Sequence, residues 1–153
     1  MDETIVDFLQ STEALRGVPR EQLEWLVRES DIIEREPGIW TKPGEGFDYM
    51  LVLLEGKLDA YTIQNGQKRP SFVNVPGSIG GVIPFSRMKS SPVFIEAIGH
   101  VKTLALHRSK FHALIANNYE LTEVLVHSMV DRVRMFTSAH FQNEKLMALG
   151  NTP

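Results

Sequence analysis

Turn-forming residues recur about every ten positions between residues 31 and 108, so only short extended segments fit between them. The turns contain Pro37-Gly38, Pro43-Gly44, Gly56, Asn65-Gly66, Pro76-Gly77, Gly80-Gly81 and Gly99. The intervening runs predict strands at Tyr49–Leu54, Leu58–Ile63, Ser71–Val75, Val93–Ile98 and Thr103–Leu106. Short strands at this spacing are typical of a β-sandwich or barrel, and Asn65-Gly66 between two of them predicts a tight hairpin.

Apolar residues return to a helical period on both sides of this β region. Their spacing predicts one helix over Thr4–Leu15 and a second over Arg20–Glu29. Past the β region, a short helix is predicted around Leu114 and a long one from Glu120 to about Gln142. The fold class is therefore mainly β with flanking helices.

The long C-terminal helix carries two apolar stripes, and Asp131 and Arg132 interrupt its otherwise apolar-rich sequence. One stripe is predicted to cover the mouth of the β region and consists of Leu121, Leu125 and Met129. The other is a candidate dimer interface and consists of Val126, Val130, Val133 and Phe136. An exposed stripe of that size is a liability for a monomer, so a homodimer through this helix is favoured.

The composition of the 153-residue chain excludes several classes of protein. The net charge is −3 and no cluster of Lys and Arg is visible, which speaks against a nucleic-acid partner. Without cysteine there is no disulfide, thiolate metal site or cysteine nucleophile. No apolar run is long enough to span a membrane, and the acidic N-terminus does not resemble a signal peptide. We expect one cytoplasmic domain.

Catalytic and metal-binding motifs are not visible in the sequence. The five histidines include no pair one residue apart on a predicted strand, as a barrel metal site of the cupin type would require. Neither a G-x-S-x-G elbow nor a P-loop is present. We therefore expect no catalytic residues, no metal and no enzymatic activity in this segment.

The β region resembles a known family. The stretch PGIWTKPGEGFDYMLVLLEGKLDAY is similar to the opening of the cyclic-nucleotide-binding domain family, which includes catabolite-activator-type regulators and kinase regulatory subunits. VKTLALHRSKFHALI resembles the last strand and following helix of that family. The matched features are Gly38, the turn at Pro43 to Gly46, Asp48, the strand Tyr49–Leu54 and Gly56.

This resemblance covers roughly Leu15 to Arg134 and implies an eight-stranded β-roll, a double-stranded jelly roll, between helices. It divides the chain into N-terminal helices (1–30), the roll (31–108), C-terminal helices (109–142) and a tail (143–153). A phosphate-binding cassette is expected within the roll at residues 77–97.

The family's cassette has the pattern F-G-E-L-A-L, a loop, then P-R-A-A. The resemblance implies that its glutamate binds the ribose 2′-hydroxyl and its arginine binds the cyclic phosphate. In this chain Gly80 matches the turn glycine, Gly81 stands at the glutamate position and Ser91 at the arginine position, or Pro92 or Val93 in a shifted register. The candidate ligand-binding residues are Gly77, Ser78, Ile79, Gly80, Gly81, Val82, Ile83, Ser90, Ser91 and Pro92.

Both side chains that define the usual ligand contacts are therefore replaced. Arg87 and Lys89 lie in the same loop, either as compensating charges for a ligand or as solvated loop charges. Two functions stay open from the sequence. One is a sensor of a cyclic nucleotide or another small anionic ligand, and the other is a ligand-free module for dimerisation or protein docking.

The last residues carry a separate resemblance. EKLMALG, within Asn143 to Gly150, resembles the start of the dimerising helix in sensor histidine kinases. We therefore expect a histidine kinase domain downstream in the same chain, and the alternative is an ordinary helical tail. A transcription regulator of the catabolite-activator type would need a helix-turn-helix after the long helix, and these residues contain none.

Overall fold

The structure is a computed structural model, and it describes residues 2–82, 89–132 and 134. Its helices are, in chain order, α1 (Glu3–Ser11), α2 (Arg20–Glu29), α3 (Phe111–Asn117) and α4 (residues 119–132). Along the chain, all of the strands follow α2 and precede α3, so the predicted order of helices, strands and helices is confirmed. Within the described residues, no helix combines the length and apolar character needed to cross a membrane.

Helix α1 ends at Ser11, four positions before the predicted end at Leu15. Thr12 leaves the helix with extended backbone, and its hydroxyl donates to the carbonyl oxygen of Leu9 at 2.7 Å. The same hydroxyl accepts a hydrogen bond from the backbone N–H of Leu15 at 3.3 Å. A side-chain cap and turn therefore bring Leu15 into the core, where it is fully buried.

All strands of the described residues belong to one sheet, in which every pairing is antiparallel. The strands are β1 (Asp31–Arg35), β2 (Gly38–Thr41), β3 (Tyr49–Gln64), β4 (Gln67–Asn74), β5 (Ile79–Gly81) and β6 (Phe94–His107). The first half of β3 pairs with β5 and with the end of β6, and its second half pairs with β4 and the start of β6. Because β3 and β6 take part in both halves, the sheet curls into a roll.

The described residues contain six strands rather than the eight that the family resemblance implies. Tyr49–Leu54 and Leu58–Ile63 were expected as separate strands, but both lie within β3. The two segments predicted around Ile95 and Leu104 likewise lie within β6. The register between β3 and β6 shifts between Leu53 and Lys57, so the strands bend there without ending.

The hairpin predicted at Asn65-Gly66 is confirmed. It joins β3 to β4, and Gln64 pairs with Gln67 across it. Asn65 has φ 53° and Gly66 has φ 74°, the positive values that a type I′ turn requires at both central positions. This local signal therefore fixes the register of the two strands.

Side chains along β3 alternate between two faces, and each face contributes to a separate cluster of the hydrophobic core. Met50, Val52 and Leu54 pack against buried residues of the helices. Leu51, Leu53 and Leu58 point the other way, into the interior of the roll, where they pack with residues from β6. Successive side chains of a strand point to opposite faces, so one strand supports both the helical layer and the roll interior.

Helix α4 has distinct faces. Leu121 and Leu125 are buried against the other helices, which confirms them as core residues, and Met129 is half-buried. Val126 and Val130 of the predicted dimer stripe are each 42% exposed. Val133, Phe136 and the continuation of the helix to about residue 142 lie outside the described residues.

The N-terminal end of α4 is fastened to α2. The buried side chain of Gln22 accepts a hydrogen bond from the backbone N–H of Leu121 at 2.9 Å and donates to Glu120 Oε2 at 2.5 Å. This contact satisfies one of the backbone N–H groups that a helix start leaves without an internal partner.

Candidate functional site

The first half of the cassette-like segment is part of the sheet. Ile79, Gly80 and Gly81 form β5 and pair with Val52, Leu51 and Met50 of β3. On either side, the backbone N–H of Gly77 donates to the Leu53 carbonyl at 2.8 Å, and that of Val82 donates to the Tyr49 carbonyl at 2.8 Å. Both of these backbone N–H groups are therefore already hydrogen-bonded to β3. Ile83 and Arg87 lie outside the described residues.

Gly81, which stands at the family's glutamate position, has no space for a side chain. Its φ is +73°, a conformation that L side chains rarely adopt. A Cβ atom there would collide with the carbonyl oxygen of Tyr49 and lie 3.1 Å from Cε1 of Phe47. Phe47 in turn packs edge-to-face against Trp40 with ring centroids 5.9 Å apart. The backbone and the aromatic interior of the roll both exclude a glutamate here.

Ser91, at the arginine position, is buried and its hydrogen bonds are satisfied locally. Its hydroxyl donates to the Val93 carbonyl at 2.6 Å and accepts from the Val93 N–H at 3.3 Å. Its backbone exchanges hydrogen bonds with Gly44 and Glu45, at 2.9 and 3.0 Å. Ser91 thus joins the end of the cassette-like segment to the turn before β3.

The neighbours of Ser91 are exposed. They are Lys89, Ser90 and Pro92. Ser90 forms an isolated antiparallel bridge with Gly46, which continues the link made by Ser91. No ion pair or hydrogen bond of the Lys89 side chain is present in the described structure, which agrees with a solvated loop charge.

A cavity of about 790 Å³ lies beside the cassette-like segment. It is bounded by the end of α1, by the connection from β4 to β5, and by α4. Its volume falls within the range of roughly 300–1,000 Å³ that is usual for small-molecule sites. Three predicted site residues line it, namely Gly77, Ser78 and Ile79, whereas Gly80, Gly81, Val82, Ser90, Ser91 and Pro92 are not part of its wall.

Arg132 of α4 reaches across this cavity and is a site residue that the sequence analysis missed. Its guanidinium donates a hydrogen bond to the carbonyl oxygen of Ile79 in β5. It also lies over the ring of Phe72, 4.5 Å from the centroid, in a cation–π contact. Burial lowers the pKa of Arg132 to about 10, so the side chain remains protonated at neutral pH.

Asn74, at the end of β4, is a second residue that was missed. It lines the cavity, where its amide group makes no hydrogen bond to the described residues and remains accessible to solvent. Nδ2 of Asn74 and Nη2 of Arg132 lie 3.3 and 3.4 Å from the point where a Cβ on Gly80 would be. Two hydrogen-bond donors therefore converge over a glycine of the cassette-like segment.

The histidines of the described residues do not gather into a metal site. No group of three or more His, Asp or Glu side chains in residues 2–82 and 89–132 is arranged to hold a metal ion. His100 lies on the surface between two carboxylates, with Nδ1 3.1 Å from Glu36 Oε1 and Nε2 3.2 Å from Glu34 Oε1. Because the two contacts lie on opposite sides of the ring, the carboxylates bind the imidazole rather than a shared ion.

The contacts of His100 predict a pH-dependent stability. Hydrogen bonds to Glu34 and then Glu36 raise the pKa of His100 above the ordinary value of 6.5. The stabilisation is therefore complete below that value and is lost as the pH rises through the folded-state pKa. His100→Gln should lower the urea midpoint at about pH 5.5 and have a smaller effect at about pH 9. His112→Gln, at an exposed histidine without an ion pair in the described structure, is the control, and a pH-independent effect of His100→Gln would contradict the assignment.

Comparison with known proteins gives structural matches only, since no family model and no curated protein matches the sequence. The sensor domain of the transcriptional regulator DNR from Pseudomonas aeruginosa matches with a TM-score of 0.70 and 16% identity, over 89% of this chain and 93% of that one. The regulatory subunit of a cAMP-independent protein kinase A from Trypanosoma brucei matches with a TM-score of 0.72 and 20% identity, over 93% of this chain and 49% of that one. The catabolite activator protein of Thermus thermophilus matches with a TM-score of 0.69 and 17% identity, over 89% and 63%.

The fold is the cyclic-nucleotide-binding β-roll. At these identities the likeness is one of fold, and it confirms the fold class predicted from the sequence. Within the β-roll, β5 begins the cassette-like segment, and α4 is the helix that contacts it through Arg132.

Proposed function

We propose that this β-roll is a regulatory sensor domain without catalytic activity, in which α4 responds to the state of the cassette-like segment. The observation that carries the proposal is the contact of Arg132 with the Ile79 carbonyl and the Phe72 ring. A ligand that shifts β5 or fills the adjacent cavity changes the stability of this contact. Such a ligand moves α4 only by the difference in its affinity for the two states.

The ligand that we propose is a small anion other than an ordinary cyclic nucleotide. The glutamate and arginine of the cassette are replaced by Gly81 and Ser91, and each lost charged hydrogen bond weakens binding by roughly 1.5–3 kcal/mol. Together they would cost about two to four powers of ten in affinity. The similar structure from Trypanosoma brucei belongs to a protein kinase A that is described as cAMP-independent, so there is a precedent for this fold in a protein that does not depend on cAMP.

Two partners complete the proposal. A second copy of the chain would pack on the outward face of α4, where Val126 and Val130 are exposed. A histidine kinase domain downstream would receive the change in α4, as the resemblance of residues 143–150 suggests. Those residues lie outside the described structure, so the kinase stays a prediction from the sequence.

The other candidate from the sequence is a ligand-free docking module. The cavity beside β5 favours a ligand instead, because its wall combines the polar groups of Asn74 and Arg132 with the apolar ring of Phe72. We therefore propose the sensor.

Ligand titration of the full chain tests this function. Calorimetry with cAMP, cGMP and cyclic dinucleotides should give no saturable heat at micromolar concentrations, whereas a thermal-shift panel of small anionic metabolites should yield at least one that raises Tm. Tight one-to-one binding of cAMP would overturn the proposed choice of ligand. A panel without any response would overturn the sensor function and leave the docking module.

A further inference from the structure

The tip of the hairpin between β3 and β4 consists of two exposed residues, Asn65 and Gly66. Gln64 and Gln67 form the last pair of the ladder, so the backbone hydrogen bonds that close the turn belong to those two residues. In the described structure, neither the side-chain amide of Asn65 nor the backbone N–H of Gly66 makes a hydrogen bond. An unbonded amide therefore stands next to an unbonded backbone nitrogen.

An Asn-Gly sequence allows these two groups to react with each other. Attack of the Gly66 nitrogen on the side-chain carbon Cγ of Asn65 closes a five-membered ring. Glycine has no Cβ atom that would hinder the approach of its nitrogen. Nothing lies within 4 Å of the place where a Cβ on Gly66 would be. The surroundings therefore leave room for the ring and for the water that opens it.

We propose that Asn65-Gly66 is a site of spontaneous deamidation. The Gly66 nitrogen gives up its proton and bonds to Cγ of Asn65, the bond from Cγ to Nδ2 breaks, and ammonia leaves with that proton. The product is a succinimide ring with two carbonyl groups. Water then adds to one of them. Opening of the ring at Cγ gives aspartate, and opening at the backbone carbonyl carbon gives isoaspartate, in which the chain runs through the former side chain.

The two products differ in their effect on the hairpin. Aspartate at position 65 suits the same turn, because Asp-Gly shares with Asn-Gly the preference for type I′. Isoaspartate adds a methylene group to the backbone, so the loop no longer matches the pairing of Gln64 with Gln67. We therefore expect isoaspartate, but not aspartate, to open the end of the hairpin.

A bulge in the ladder limits how far this change spreads. The register between β3 and β4 shifts between Ala60 and Tyr61, where Ala60 pairs with Phe72 and Tyr61 with Pro70. The pairing beyond the bulge has its own register, so the loss of pairing should end there. Phe72, which contacts Arg132 at the cavity, should keep its place.

Incubation of the full 153-residue chain, folded and in urea, tests the proposal. Trypsin then releases residues 58–68, in which Asn65 is the one asparagine, and residues 111–132, which contain Asn117 and Asn118. Mass spectrometry measures the conversion of amide to acid, and chromatography separates the aspartate peptide from the isoaspartate peptide. We expect Asn65 to convert in the folded protein before either other asparagine, and faster at mildly alkaline than at neutral pH.

Two controls belong to this experiment. Asn117 is the internal control, since it is also exposed but precedes Asn118 rather than a glycine, and its amide donates to the Ala113 carbonyl at 3.1 Å. Gly66→Ala is the control variant, and it is compared with wild type in urea, where the strain of the turn has no effect. It should slow the conversion of Asn65, because the added Cβ hinders the attacking nitrogen.

The stability of the products gives a second readout. The purified isoaspartate form should have a Tm lower by about 3 °C, whereas Asn65→Asp should keep the Tm of wild type. Amides of residues 61–69 should exchange faster in the isoaspartate form alone, since the pairing is lost on that side of the bulge.

Each outcome decides the proposal. Conversion of Asn65 in the folded protein to both acids supports it. Retention of the amide in the folded protein while the unfolded protein converts would overturn it, because the turn would then hold the two groups apart. Equally fast conversion of Asn117, or aspartate without isoaspartate, would also overturn it. An unchanged Tm of the isoaspartate form would contradict the predicted opening of the hairpin.

Discussion

Restoring the two missing cassette residues, by Gly81→Glu combined with Ser91→Arg, should lower the free energy of unfolding by about 4 kcal/mol without creating a cAMP site. Position 81 has φ +73°, and its Cβ would collide with the Tyr49 carbonyl of the paired strand. Position 91 is buried, and its hydroxyl is already bonded within its own turn. Both longer side chains therefore force the roll to open. Urea unfolding measures the loss of stability, and calorimetry with cAMP measures whether a binding site has formed.

Gly66→Ala is the matched control for the strain at position 81. Gly66 has φ +74°, almost the same value, but nothing lies within 4 Å of its Cβ position. Gly66→Ala should therefore cost only the backbone term, about 1–2 kcal/mol, and Gly81→Ala should cost more because of the collision. Equal losses of stability in Gly66→Ala and Gly81→Ala would show that β5 can move aside. Micromolar cAMP binding by the double variant would show the same.

Local signals in the sequence predicted most of the secondary structure. Asn65-Gly66 carries its turn conformation in the residue types themselves, and Arg20–Glu29 is a helix of the predicted length. The end of α1 was predicted too late because Leu15 continues the apolar period while Thr12 caps the helix. The long strands were divided at Gly56 and Gly99, where the register between β3 and β6 shifts although neither strand ends.

The candidate site was predictable only in part. The sequence placed Gly81 at the glutamate position, but the reason that glycine is required there depends on φ and on the Tyr49 carbonyl, which lies far away in the chain. Asn74 has no pattern that would place it beside Arg132, since its neighbours are set by the folded surroundings. Arg132 did have a signal, because together with Asp131 it interrupts the apolar sequence of the last helix.

Replacing that arginine should have the second large effect. Arg132→Gln removes a charged hydrogen bond to β5 and a cation–π contact with Phe72, so the local stability of α4 should fall by about 2 kcal/mol. Amides near the C-terminal end of α4 exchange by local opening, so they should exchange roughly thirtyfold faster. The first turn of α4 is held separately by Gln22 and should change less.

Amide hydrogen exchange along α4 in Arg132→Gln is the most direct test of the coupling between this helix and the cassette-like segment. Arg134→Gln, at an exposed arginine just beyond α4, is the control for the loss of a positive charge. Faster exchange at residues 124–132 in Arg132→Gln alone is the expected result. The same exchange rates in both variants and in wild type would contradict the coupling and, with it, the proposed route from ligand to α4.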